Sequence, residues 1–200
     1  MTAWGGTLLH EPAGSEIATP HLRLREPRRS DLDPLNDAIL ETLHELVRWL
    51  PWAHPEHSRA DTRRYLRSAR LARSQRSALE FVVEEPSSAT LLGIASLHRI
   101  DWIRHSAGLG YWIRRSSWGK GHASEAARTL TSYGFHTLGL HRIEAHVALD
   151  NPASQRVAEK AGFHREGVAR ENELIGGRFL DHVQYSLLAP EVLDCEGELS

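Results

Sequence analysis

The sequence predicts a single α/β domain in which one mixed, mostly antiparallel sheet carries helices on both faces. Three observations lead there. Two hundred residues are one domain's worth, long enough to bury one sizeable core. The hydrophobic periodicity reads strand, two helices, three strands, helix, strand, helix, two strands, a sheet of about seven strands. Hairpin signals join most neighbouring strands, and one helical crossover interrupts them near the middle.

Residues 1–20 are rich in Gly, Thr and Pro and read as an arm, with a short strand possible around residues 7–10. Residues 21–26 alternate apolar and polar, the strand pattern. Ser30 and Asp31 offer a helix N-cap, and Leu32, Leu35, Ile39, Leu43, Leu46 and Val47 recur at helical spacing until Pro51 stops the run. A second helix is expected over residues 58–75, with Arg63, Arg67 and Arg70 on one face. Strands follow at 79–84, 90–99 and 107–113. A tight turn at 119–123 opens a helix reaching about residue 138. Then come a strand at 142–149, a helix at 152–161, and two strands joined by Gly176 and Gly177, which tolerate the positive φ of a hairpin turn. Residues 21–189 are assigned to the domain, and residues 190–200 read as a loose tail.

Composition narrows the function. Lys plus Arg number 24 against 26 Asp plus Glu, a net charge of −2, so no basic surplus exists for nucleic acid. No apolar stretch approaches the ~20 residues of a membrane span. Leu8 and Leu9 are followed at once by His10, Glu11 and Pro12, so no signal peptide is expected. A single cysteine, Cys195, fits a reducing compartment, and the expectation is a cytoplasmic protein.

The segment from Gly110 to Glu125 carries the first chemical signal. A strand ends near Arg114, and a turn holding Gly119 and Gly121 leads into a helix. Such a turn presents backbone N–H groups where the helix dipole is positive, a cradle for pyrophosphate that glycines let an anion approach. No Lys-Ser/Thr pair follows, so it is not a P-loop, and the third glycine of a dinucleotide fingerprint is missing. The second signal is Asn151 with Pro152, then Ser154, and Gly162 with Phe163. As plain structure, Asn151 is an N-cap and Pro152 suits the first helical position.

Together these segments resemble the GNAT superfamily of N-acetyltransferases, especially its RimJ/RimL-type branch, over about residues 20–189. Trp118, Gly119, Lys120, Gly121, His122 and Ala123 look like the branch's pyrophosphate loop. Residues 150–154 with 160–163 look like its second cofactor segment, and Trp49, Leu50, Pro51 and Trp52 resemble a substrate-side loop. The resemblance implies a GNAT-like fold, splayed in the middle of the sheet, and acetyl-CoA as cosubstrate. It implies cofactor contacts from Trp112, Ile113, Arg114, Trp118, Gly119, Lys120, Gly121, His122, Ala123, Ser124, Asn151 and Ser154. A main-chain N–H around residues 111–113 would polarise the thioester carbonyl. Glu173 would take a proton from the attacking amine, and Ser154 would hand one to the departing sulfur. Glu171, two residues away, competes with Glu173 on the same strand face. Trp49 and Trp52 would wall the acceptor.

Two positions depart from the wider superfamily: Ala158 stands where many members carry a tyrosine acid, and Gly108, Leu109 and Gly110 leave no carboxylate on the strand before the loop. The acceptor is expected to be a primary amine, first a protein N-terminus, alternatively a polyamine or an antibiotic; a catalytically silent acyl-CoA-binding module is the rival outside enzymes. A homodimer is expected from the branch. No metal is expected: His54 and His57 are close but have no obvious third ligand, while His141 and His146 sit an odd number apart on a strand. His98 and His105 could line the acceptor pocket. The Arg63, Arg67 and Arg70 face reads as solvated, or as a steering surface for an acidic acceptor or the cofactor's 3′-phosphate.

Overall fold

A computed structural model describes residues 16–192; the strand expected at 7–10, Cys195 and most of the tail lie outside the described residues. The chain forms β1 (Glu16–Ala18), β2 (Arg23–Arg25), α1 (Leu32–Trp49), α2 (Arg59–Ser74), β3 (Leu79–Glu84), β4 (Leu91–Asp101), β5 (Ser106–Ile113), α3 (His122–His136), β6 (Arg142–Ala148), α4 (Pro152–Lys160), β7 (His164–Ile175) and β8 (Arg178–Leu188). The elements expected over residues 21–189 are all present. The eighth strand is β1, three residues that pair antiparallel with β2.

The sheet order is β1-β2-β3-β4-β5-β6-β8-β7, antiparallel throughout except where β5 and β6 run parallel across the α3 crossover. Strand alternation splits the core in two. On one face Phe81, Val83, Leu97, Leu109, Ile143, Val183 and Tyr185 pack under Ala126, Ala127 and Leu130 of α3 and Ala158 of α4. On the other, Val82 and Ile94 pack under Leu35, Ala38, Ile39 and Leu46 of α1. The predicted apolar stripe of α1 is thus the stripe that meets the sheet.

Asp31 does not cap α1 through its side chain. Its carboxylate instead accepts both terminal nitrogens of Arg25 at 2.8 Å and the Arg28 N–H at 2.6 Å. Arg25, only 6% exposed, also holds Glu84 of β3, which takes Arg23 as well. This buried network ties β2, β3 and the start of α1 together. At the start of α2, Asp61 accepts the Ser58 N–H at 2.9 Å and seals the helix end.

Candidate active site

β5 and β6 pair only through Ser106 with Arg142, Ala107 with Ile143, and Gly108 with Glu144. Beyond those pairs they separate, and a cleft of about 910 Å³ opens between them. Arg114 donates its N–H to the Leu92 carbonyl at 2.6 Å, so by antiparallel alternation the N–H groups of Trp112 and Gly110 also face β4. Those of Tyr111 and Ile113 point the other way, into the gap β6 has left. The splay therefore frees main-chain donors in the interior of a sheet.

The cleft runs through the sheet and joins its two faces. On the α3/α4 face it is lined by Trp118, Gly119, Gly121, His122, Ala123, Ser124, Asn151 and Ser154. Gly119 and Gly121 adopt φ of +76° and +84°, and a Cβ at either would meet no atom but would strain the backbone. Glu125 donates to the Gly121 carbonyl at 3.0 Å, so the helical ladder starts there and the amides of His122, Ala123 and Ser124 precede it. His122 Nδ1 is buried with no hydrogen-bond partner. A buried orphan nitrogen beside a glycine bend at a helix N-terminus suits an anionic ligand. Arg156 and Lys160 of α4 also line this side. Lys160 falls in the stretch that resembles the second cofactor segment; sequence reading missed Arg156, because nothing in a helical pattern says which exposed cation faces a cleft.

Trp118 closes the bend by donating its indole N–H to the Ile113 carbonyl at 2.6 Å. Asn151 accepts the Ser154 N–H at 3.1 Å, as an N-cap. The Ser154 hydroxyl lies 3.0 Å from the Tyr111 phenol oxygen, and Tyr111 also donates to the Ser154 carbonyl at 3.0 Å. Burial pushes the Tyr111 pKa up to about 12, so the phenol stays protonated. The side chain of Tyr111 was not singled out from sequence; only its backbone was.

Three expected cofactor contacts are placed differently. The Arg114 guanidinium is turned to α1, where Glu41 accepts its Nε at 2.8 Å, and the amides of Arg114, Arg115 and Ser116 are taken by Leu92, Thr42 and Glu41. Lys120 is exposed and outside the cleft lining. Trp112 places its ring on the α1/α2 face, 6.4 Å from that of Trp52. Alternation along β5 decides this: Tyr111 and Ile113 face α3, and Trp112 cannot.

The α1/α2 face of the cleft holds Trp49, Trp52, Tyr65, Glu80, Ser96, His98, His146, Glu173 and His182. Trp49 packs on Ala148, Ile175 and Leu180, and Trp52 is 40% exposed. Glu173 lies 3.7 Å from Nε2 of the buried His182, and its own side chain is 41% exposed. Burial holds the His182 imidazole below its ordinary pKa, against the pull of Glu173, and leaves it neutral. Glu171 does not share this position. A bulge between Ala169 and Glu173, with Glu171 at φ +48°, breaks the alternation that would put both acids on one face. Glu171 is exposed, its N–H held by Asp181 at 2.8 Å.

The glycines that displace a carboxylate from β5 have a packing reason. A Cβ at Gly108 would lie 2.6 Å from His98 Nε2, and one at Gly110 would lie 2.9 Å from Ser96 Oγ. His98 thus sits over the strand at the edge of the splay; His105 is exposed and outside the cleft. Arg63, Arg67 and Arg70 are exposed and none lines the cleft.

Residues 21–164 match the acetyltransferase (GNAT) domain family. The chain is 34% identical over 170 residues to YdaF of Bacillus subtilis (strain 168), named as a candidate ribosomal N-acetyltransferase; the match covers 85% of this chain and 91% of that protein. It is 34% identical over 114 residues to the spermidine N(1)-acetyltransferase of Vibrio cholerae, covering 57% of this chain and 65% of that enzyme. Mycobacterium smegmatis RimJ, solved in complex with CoA-disulfide, superposes with a TM-score of 0.79 at 25% identity, covering 86% of this chain and 83% of RimJ. The chain belongs to the GNAT acetyltransferase family, on its RimJ/RimL-type side, and is an acetyl-CoA-dependent acyltransferase.

Proposed function

We propose that the enzyme acetylates a protein N-terminal α-amine by direct attack in a ternary complex. The cleft through the sheet carries this reading: a donor held on the α3/α4 face and an acceptor held on the α1/α2 face meet in the gap. The diphosphate of acetyl-CoA suits the amides of residues 119–124, with His122 Nδ1 and the cations Arg156 and Lys160 beside them. The N–H groups of Tyr111 and Ile113 are the donors placed to polarise a carbonyl in the gap, a role that contributes about 3–4 kcal/mol in comparable sites.

Glu173 takes the proton that an alkylammonium must lose before it attacks, directly or through a water. Its half-exposed carboxylate stands beside a neutral imidazole, and among the described residues no Lys or Arg pairs with it. Ser154 donates to the departing sulfur from the opposite face. Tyr111, bonded to the Ser154 carbonyl, fixes where that hydroxyl sits. A protein acceptor is favoured over a small amine by the likeness to YdaF, named as a candidate ribosomal N-acetyltransferase. The likeness to the spermidine enzyme supports a second reading, a small polyamine acceptor. A cytoplasmic homodimer belongs to the first reading through its RimJ/RimL likeness; among the described residues no helix is long and apolar enough to cross a membrane. Sedimentation decides the oligomer.

Thiol release from acetyl-CoA, measured with peptides of varied first residue and with spermidine, tests both readings. Peptide-dependent release with spermidine inert supports the first; the reverse pattern replaces it with the second. Glu173→Gln is expected to lower kcat by about 100-fold or more while CoA affinity stays within about twofold. Unchanged turnover would remove Glu173 from the mechanism.

A further inference from the structure

The loop between α1 and α2 contains a cluster that acetyl transfer does not use. A turn closed by the His57 N–H on the His54 carbonyl at 3.1 Å brings the two imidazoles to 5.7 Å between ring centroids. The first turn of α2 returns Asp61 to the same place, with His54 Nε2 3.7 Å from Asp61 Oδ2. One ligand atom from each of His54, His57 and Asp61 lies within 4.8 Å of the others. Asp61 is the third ligand that spacing alone did not reveal, because the capping box at the start of α2 folds it back towards the loop that carries both histidines.

Histidine 57 supplies an independent observation. Its residue is 8% exposed, and its Nδ1 is buried without a hydrogen-bond partner. The other ring nitrogen is accounted for. Thr62 gives its only hydroxyl proton to Asn36 Oδ1 at 3.0 Å, so its oxygen accepts, at 2.9 Å, from His57 Nε2–H. The chain of bonds from Asn36 through Thr62 therefore fixes the tautomer and leaves a lone pair on Nδ1. Metal-bound histidines carry this kind of support, their second nitrogen donating to a neighbouring acceptor. Leaving such a nitrogen buried and unserved costs stability unless something pairs with it.

We propose that His54, His57 and Asp61 form a binding site for a first-row divalent ion of the zinc class, with water in the remaining position. Two imidazoles and a carboxylate are the donor set such ions take, with Zn–N near ~2.0–2.1 Å and an open fourth site. Tetrahedral ligands at that distance lie about 3.4 Å apart, so the three groups close by roughly an ångström on binding. Asp61 already holds three contacts: the Ser58 N–H and hydroxyl on Oδ2 at 2.9 and 2.6 Å, and Arg64 on Oδ1 at 2.9 Å. The two side-chain contacts, both from exposed residues, must yield. The Ser58 hydrogen bonds already hold the Asp61 pKa down to about 2, and burial lowers that of His57, so both are deprotonated at neutral pH as ligands must be. The Trp52 ring stands edge-on to His57 at 6.1 Å and lines the cleft. An ion here braces the loop that carries one wall of the acceptor side.

Cobalt(II) titrated into the chelator-treated full chain tests the site by its visible absorption. The expected result is one equivalent of tetrahedral-type absorption, displaced by Zn(II), together with a rise in thermal midpoint. His54→Gln, at a half-exposed position, is expected to leave the metal-free midpoint unchanged and to weaken cobalt affinity at least about tenfold, as loss of one of three protein ligands does. His57→Gln should weaken it likewise, but its buried position makes His54→Gln the deciding variant. Absence of the band in the wild type overturns the proposal. So does a band that His54→Gln weakens less than tenfold, since eleven of the chain's 13 histidines lie elsewhere and could bind cobalt.

Discussion

The Tyr111 phenol oxygen stands 3.0 Å from both the hydroxyl and the carbonyl oxygen of Ser154, bridging β5 to the first turn of α4. The contact crosses the face on which the splay opens, and it joins the strand carrying the free N–H groups to the helix carrying the proposed proton donor. Tyr111→Phe keeps the ring and removes the bridge. One lost hydrogen bond of about 0.5–1.5 kcal/mol corresponds to a fall of about 3–10-fold in kcat. CoA affinity should hold, because the phosphate-side bend is untouched. Steady-state kinetics with a binding isotherm for CoA checks the split, and an equal fall in affinity would make Tyr111 a binding residue instead.

Gly108 is expected to resist substitution. A Cβ there would meet three ring atoms of His98 at 2.6 to 3.0 Å, so the half-buried ring would have to shift to admit it. Gly108→Ala should destabilise by about 1–3 kcal/mol, the usual range for overpacking. Gly167→Ala is the control, with nothing within 4 Å of its Cβ position and no positive φ. Urea unfolding midpoints of the two variants should separate clearly.

Acid should weaken the fold in a defined window. Burial, with Arg99 and His146 nearby, pushes the His98 pKa down from 6.5 to about 4. The unfolded chain therefore binds a proton below pH 6.5 that the native state refuses until about pH 4. His98 thus contributes stability that is full above pH 6.5 and is lost as the pH falls towards 4. His146 and His182 are lowered too, also by burial first, and add in the same direction. Thermal midpoints from pH 7.5 to 4 should fall, and His98→Asn should flatten the slope without abolishing it.

Arg25 should matter for stability and not for turnover. Arg25→Met leaves the Asp31 and Glu84 carboxylates buried, with only Arg23 still reaching Glu84. Removing one partner from a buried ionic network costs about 3–5 kcal/mol, because the charge left behind has lost its compensation. Guanidinium unfolding should show the loss, while kcat of the folded fraction stays within about twofold.

Much of the architecture was legible because it is local. The helical stripe of α1, the Pro51 stop, the glycine bend at 119–121 and the Gly176–Gly177 turn each follow from backbone preference or from periodicity over a few residues. The Asn151 cap could be read because its partner, Ser154, is three residues away. Glu173 could be singled out but not separated from Glu171, because the bulge between them depends on pairing with β8. Arg114 read as a cofactor contact until α1 brought Glu41 to it across the fold.

Sequence by itself determined the family, the order of elements and the bend that presents amides at the start of α3. Only the tertiary structure decided which face each side chain serves: Trp112 towards Trp52, Tyr111 towards Ser154, Asp61 back onto His54 and His57. The physical reason is that a strand offers two faces at each alternation, and the choice between them is made by the layers that pack on it. That choice is a property of long-range burial, which no run of neighbouring residues contains.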